Sequence, residues 1–571
     1  MAITRLAFNQ LNRDNAVSVI DYGADPTGSV DATTAIQAAI DALPGGGTVY
    51  IPNGTYIVSA LSVTTDNISI CGAELGNSKL VSPAGRWGHM ITANDVDFFT
   101  LQDIEFDCNL ADTEGALWIG GGRWCLVERC KFYNCDLTTM SINSIGISGG
   151  SRTAIDNTVR DCYAYGQKRF TPGGTATFIA ANGAARTTFE NCVVEDCEAD
   201  NFGADNGPYT LFHNCRASKS GTRSTYAAFW LECTEVNGDG YDVTISTCHM
   251  SNFAIGIGVS EKVVALLENC TYRACSRAIW AHGDESSRIS GGLLDLCGVA
   301  ASDTDGAVLI ENSADISGLT FRNTVGNSCI VVYAATAKTG KIVNINECTV
   351  DARINIGYAN GGAESVVVSN CTLNSTSIWY FDCSTKRLLI NGNTFIDSIV
   401  TGSRIINNTI AGNTFVDTGG TLTAIDLSLD TFNTFFDNNS FYGFLAVTNN
   451  ATAGRNTYAN CTSTPDTRDY VIKKTVTITT GGTSYSLGGS SRGSYLILVE
   501  GTSNDNAVGA YLAQAESFTS GHTITTLAER ADLGTGNFFS IDYPSGDELK
   551  ITHPTSGRVA NVTIISFGGF I

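Results

Sequence analysis

An all-β fold is predicted: a right-handed parallel β-helix with a short N-terminal capping helix and a C-terminal antiparallel β-sandwich. The first observation behind this is a recurring unit, in which an acidic or small polar residue and one further residue precede Cys, followed by an aromatic, β-branched or other apolar residue. It is read in Glu128-Arg-Cys-Lys-Phe132, Glu190-Asn-Cys-Val-Val194, Ser246-Thr-Cys-His-Met250, Glu268-Asn-Cys-Thr-Tyr272 and Ser369-Asn-Cys-Thr-Leu373, and it continues as Asn391-Gly-Asn-Thr-Phe395 and Ala411-Gly-Asn-Thr-Phe415. Successive copies lie roughly 20–33 residues apart, the period of a solenoid. Each is too small to bury its own apolar face and must stack on the next. The second observation is the lack of 3.6-residue periodicity in units crowded with Gly, Asn, Thr and Ser. The third is composition, since 60 glycines against 9 prolines suit many short strands joined by tight turns.

Taken in chain order, residues 1–15 are polar and read as an arm or docking peptide. Residues 16–60 hold a strand, a Gly/Pro turn and an Ala-rich helix that Asp31 or Thr33 can cap. Ile36, Ile40 and Leu43 form its apolar stripe, Pro44-Gly-Gly-Gly47 ends it, and two short strands follow. Such a helix would plug the open end of a solenoid and hide an unpaired strand edge. The β-helix proper runs to residue 466. From 467 to 571 the repeat stops and clean alternation begins, as in Tyr495-Leu-Ile-Leu-Val499, which predicts a small antiparallel sandwich. That domain would trimerise, touch glycan, or close the far end of the solenoid.

A formal charge of −22 leaves nothing to neutralise phosphates, so nucleic acid and anionic membranes are not expected partners. Neither a secretory leader nor a run of eighteen apolar residues is read in the chain. The 19 cysteines are odd in number, spread through the repeat and lacking Cys-x2-Cys knuckles. They are expected to be reduced thiols stacked inside, which implies folding in a reducing cytoplasm. Asx-rich turns account for the Asp239–Asp242 and Asp303–Asp305 clusters, so no metal or cofactor is expected.

Chemistry is expected on one outward face of the rod. Alternation in Asn201–Asp205, Ala228–Glu232, Ala254–Gly258, Ala278–His282 and Ala307–Glu311 directs Asp205, Glu232, Gly258, His282 and Glu311 outward in one column. Gly203, Trp230, Gly256, Trp280 and Leu309 stand beside it, with Trp118 exposed on an earlier coil. Glycines next to exposed tryptophans make a trough suited to sugar rings, unless the tryptophans face a neighbouring subunit. Asp205 and Glu232 on adjacent rungs would lie roughly 5–7 Å apart, straddling the retaining and inverting geometries of glycoside hydrolysis. Desolvation by Trp230 would make Glu232 the acid. His282 and Glu311 form a second pair with Asp284 just beyond, and Arg223, like Arg169 and Arg288, could hold a uronate carboxylate.

The motifs Asp21-Tyr-Gly-Ala24, Asp31-x-Thr33-x-Ala35, Gly45-Gly-Gly-Thr-Val49 and Ile51-Pro-x-Gly-x-Tyr56 resemble the N-terminal signature of the pectate-lyase-like superfamily, particularly bacteriophage tailspike depolymerases. The motif resemblance covers about the first 60 residues, and the repeat character extends it to about 460. It implies a homotrimeric virion spike that folds in the host bacterial cytoplasm, joins a phage tail or adaptor through its N-terminal arm, and binds and degrades a bacterial surface polysaccharide. It is specific for fold and weak for reaction. The Asn-Thr-Asp, Asp-Asp, Gly-His-Gly and Arg-Ile-Lys motifs of polygalacturonase-type glycosidases are present only as fragments, so their roles do not transfer. Hydrolysis by paired carboxylates is the favoured activity. Polysaccharide lysis on the same fold and non-catalytic receptor binding are the alternatives.

Overall fold

The computed structural model describes residues 15–376 apart from 75, 86–87, 110–114, 137, 145–151, 169–175, 234–240, 261, 283–284, 299–305, 333–340, 358–363 and 375. Beyond residue 376 it describes strands and some of their turns. The two compact units are Met1–Thr376 and Ser377–Ile571. The docking-arm reading of residues 1–15 lies outside the described residues, apart from Asn15.

In the first unit a helix, Thr33–Asp41, buries Ile36, Ala39 and Ile40, with Leu43 buried just after it. Its N-cap residue is Ala32, with no side-chain cap bond. Asp31 instead accepts the Thr33 backbone N–H through Oδ1 at 2.7 Å. Parallel coils follow. A typical coil gives one strand to a first sheet (sheet I) and two to a second (sheet II). In sheet I, Gly115–Gly120, Met140–Asn143, Phe178–Ala181, Phe202–Asp205, Ser224–Glu232, Phe253–Val259, Arg277–Ala281 and Val308–Ile310 pair in parallel, each with the next.

The Cys-containing unit forms the bend between the two strands of sheet II. The residue before each Cys is left-handed, with φ of 49° at Arg129, 54° at Asp161, 53° at Asn191, 51° at Asn214 and 53° at Asn269. Asn and Asp tolerate that conformation best among residues with a Cβ, which explains their recurrence there. The Cys then points inward, and its thiol donates to a carbonyl of the preceding rung: Cys130 to Leu101 at 3.7 Å, Cys192 to Val159 at 3.6 Å, Cys248 to Phe212 at 3.6 Å. All 17 described cysteines are free and buried. Aromatic ladders run alongside, including Phe189 on Phe212 at 5.0 Å and Phe202 on Phe229 at 4.8 Å.

In the second unit Asn393, Asn413 and Asn439 take the place of Cys. Asn413 Nδ2 donates to the Ile390 carbonyl at 3.0 Å and Asn439 Nδ2 to that of Ile410 at 2.7 Å, repeating the thiol's bond with a stronger donor. Parallel rungs are described as far as Thr457–Ala459. Later strands pair antiparallel. One sheet takes Ile472–Ile478, Gly493–Gly501, Val508–Ala515, His522–Arg530 and Arg558–Ser566; the other takes Thr483–Ser486, Ser540–Asp542 and Glu548–Thr552.

Candidate functional site

The outer face of sheet I presents two columns. Register runs Gly203, Trp230, Gly258, Trp280, Leu309 in the first. Asp205 pairs with Glu232 in the second. The next rungs of that column are Ser260, whose N–H bonds to the Leu231 carbonyl, His282, bonded to that of Val259, and Glu311, bonded to that of Ala281. Rungs repeat at about 4.8 Å.

One strand departs from the sequence expectation. Gly258 stands in the tryptophan column, and Ser260 takes the place among the acids expected for Gly258. Trp230 pairs with Gly258, two residues beyond the Gly256 that alternation places beside it. A period-2 pattern keeps its parity through a slip of two residues, so alternation alone cannot detect it. Gly256 points the other way: a Cβ there would meet the Ala278 carbonyl at 2.4 Å and the Tyr272 ring at 2.8 Å. Gly203 is also buried, its missing Cβ lying 2.8 Å from Ala176 and 3.3 Å from Ile179. Leu309, expected to be exposed, is 4% exposed, with Trp280 and Val331 on the flanking rungs. The trough is therefore shallower and more filled than alternation implies.

Trp230 leans over Gly258, where a Cβ would lie 2.4 Å from its six-membered ring. Its indole N–H donates to Glu232 Oε2 at 3.0 Å. Trp280 lies 6.0 Å from Trp230 between ring centroids, tilted by 60°, and donates to Glu311 Oε1 at 3.1 Å. Glu311 Oε2 also accepts from His282 Nδ1 at 2.7 Å, leaving Nε2 of this half-exposed imidazole free for another partner. The Arg277 guanidinium sits 5.1 Å from the Trp280 ring centroid, a cation–π contact that sequence reasoning missed.

Burial, and secondly the charge of Glu232, raise the pKa of Asp205. Asp205 also accepts from Asn206 Nδ2 at 2.9 Å. Trp230 meets Glu232 as a hydrogen-bond donor. Asp205 is thus a carboxyl whose neutral form the fold favours.

Two other expected residues stand elsewhere. Trp118 shares the tryptophan column but lies four rungs from Trp230, roughly 19 Å away. It packs on His89 at 5.2 Å, and its indole N–H is buried without a hydrogen-bond partner. Arg223 immediately precedes the strand that ends in Glu232, seven residues from Trp230 and nine from Glu232, roughly 23–30 Å along an extended strand, and bonds Ser276. Asp284 lies outside the described residues. Ser260 is the residue that the register slip concealed; its Oγ is buried and has no hydrogen-bond partner.

Residues 16–299, which include the Asp205–Glu232 pair, Trp230, Trp280 and His282, match the family model described as rhamnogalacturonase A/epimerase, pectate lyase-like. This stretch is pectate-lyase-like. The fold that goes with it is a right-handed parallel β-solenoid. Alginate lyase 7 of Azotobacter vinelandii is 36% identical over 114 residues, covering 17% of this chain and 13% of that protein. Mannuronan C5-epimerase AlgE2 of the same organism is 35% identical over 122 residues, 18% of this chain and 12% of that protein. The chain thus spans about an eighth of the length of these relatives. Among solved structures, bacteriophage CBA120 tailspike protein 3 superposes with a TM-score of 0.39 at 12% identity, covering 80% of this chain and 62% of that one.

Proposed function

We propose that the protein binds and cleaves a bacterial surface polysaccharide on the outer face of sheet I, with Asp205 as proton donor and Glu232 as nucleophile or general base. The observation that carries this reading is the raised pKa of Asp205 beside Glu232 on the adjacent rung. Two carboxyl groups whose environments separate their protonation states are what glycoside hydrolysis needs. Protonated Asp205 donates to the leaving glycosidic oxygen, while Glu232 attacks the anomeric carbon or takes a proton from water. Trp230 and Trp280 offer indole surface to sugar rings, and their N–H bonds hold Glu232 and Glu311 in place.

The same proposal takes the chain as a homotrimeric phage spike, on the strength of the Asp21–Ala24 and Ile51–Tyr56 motifs. Within it, the Thr33–Asp41 helix plugs the solenoid and the C-terminal antiparallel strands form a sandwich.

A second reading has its own observation. Glu311 fixes His282 through Nδ1 at 2.7 Å, so Nε2 can act as the base that removes the C5 proton of a uronate. Two relatives are named alginate lyase and mannuronan C5-epimerase. Incubating the purified protein with alginate and with capsular polysaccharides, then sizing the polymers by size-exclusion chromatography, tests cleavage. Hydrolysis gives shorter polymers without the ultraviolet absorbance of an unsaturated uronate. If that absorbance rises in step with chain scission, His282 replaces Asp205 as the central group. Unchanged polymer sizes throughout leave a binding spike.

A further inference from the structure

One corner of the solenoid, where sheet I coils turn into sheet II, carries large aromatics on a backbone that disfavours them. Hydrogen bonds run from Phe98 N–H to the Arg123 carbonyl, from Trp124 to that of Ile155, from Asp156 to that of Ala185 and from Arg186 to that of Pro208. Phe98, Trp124, Asp156, Arg186 and Tyr209 therefore occupy successive rungs at the same corner. All five are left-handed, with φ of 57°, 54°, 59°, 52° and 59°. Elsewhere the chain mostly gives such corners to Asn, Asp or Gly, which take this conformation with less strain. Here three are aromatic, and they are 50% (Phe98), 46% (Trp124) and 60% (Tyr209) exposed. Local stability alone disfavours an exposed aromatic at positive φ, so these positions point to a ligand.

The polar members are already arranged. Asp156 accepts a two-point bond from Arg186 at 2.6 and 2.8 Å, which holds its pKa down, with a smaller contribution from Trp124. Phe98 stacks on Trp124 at 5.1 Å. The corner also joins the candidate site, since Tyr209 follows Asp205 by four residues in the same coil.

We propose that this corner is an accessory glycan-binding rail that continues the cleft from Asp205 toward the N-terminus. It rests on the reading of sheet I as a polysaccharide site. The five rungs span about 19 Å along the axis, enough for an oligosaccharide running parallel to the rod. Rings supply faces for sugar C–H groups, and the Asp156–Arg186 pair supplies acceptors and donors for hydroxyls. Because the charges there are mutually paired, the rail recognises sugar shape more than sugar charge. A second copy of the chain would instead need a contiguous apolar surface, whereas these rings alternate with an ion pair.

The test uses the full chain carrying Asp205→Asn, so that polymer stays intact, in affinity electrophoresis through gels holding alginate or, as a neutral polymer, dextran. Trp124→Asn and Tyr209→Asn suit the left-handed backbone, so the melting temperature should hold or rise. Together they are expected to weaken retardation roughly 10- to 100-fold, at three- to tenfold per ring. Trp230→Ala should weaken it separately. Retardation unchanged by the two corner substitutions but lost with Trp230→Ala overturns the rail and leaves the sheet I site standing. No retardation of the Asp205→Asn protein in either gel overturns both. A shift in sedimentation coefficient with retardation unchanged makes the corner a self-association surface and also overturns the rail.

Discussion

In the proposed reaction the chemistry turns on Asp205. Its pKa is raised by burial and then by the charge of Glu232, so the folded protein holds this proton more tightly than the unfolded chain does. By linkage, its contribution to stability is present below the unfolded value of 3.8 and is lost as pH rises through the raised folded value. At neutral pH the charged group is therefore a burden. Asp205→Asn should raise the melting temperature at pH 7 and flatten stability against pH across that window, as thermal unfolding over a pH series would reveal. The same substitution should lower kcat by about 10²–10⁴-fold, the usual worth of a general acid. In the wild type, activity should fall as pH rises through the folded pKa of Asp205. The acids and indoles were legible from alternation, but the burial of the Asp205 carboxyl was not. Which carboxyl is desolvated depends on side-chain rotamers and hydrogen bonds, and alternation carries neither.

At the level of the strand, Gly258 is the position to test. A side chain there collides with the Trp230 ring at 2.4 Å, so Gly258→Ala should push Trp230 off Glu232 and break the 3.0 Å bond. The expected cost is about 1–3 kcal/mol of stability, with a change in tryptophan fluorescence and weaker glycan binding. Had Gly258 stood among the acids, as alternation suggests, the substitution would leave fluorescence unchanged. The strand was legible as a strand but not in register, because a two-residue offset leaves a period-2 pattern unchanged. Ser260 was hidden for the same reason, and Leu309 because a burial pattern does not reveal cover from flanking rungs. Farther along, Asn413 accepts the Asn393 backbone N–H at 2.9 Å through its side chain and donates onward to Ile390. Asn413→Ala should cost about 2 kcal/mol or more, read by denaturant unfolding, because buried backbone groups lose their partners.

Across the whole molecule the repeat made the fold legible. Its Cys is small and inward, and the residue before it must accept a left-handed bend, so a short motif specifies one rung and its neighbour's position. Asn393, Asn413 and Asn439 continue the same device where thiols give out. Burial pushes the Cys125 thiol up to about 12, and Cys130 well above its ordinary value. Because all 17 described thiols are buried, they should resist a thiol reagent in the native protein and react on denaturation, as a colorimetric count with and without denaturant would register. What a repeating scaffold does not encode is which flank carries chemistry, because every coil has the same backbone. The most direct test of that assignment is reducing-end release from alginate and capsular polysaccharides by wild type, Asp205→Asn and Glu232→Gln. The sheet I account predicts release by the wild type and at least a hundredfold loss in both variants, with folded protein in each. Wild-type rates in both substituted proteins would contradict it.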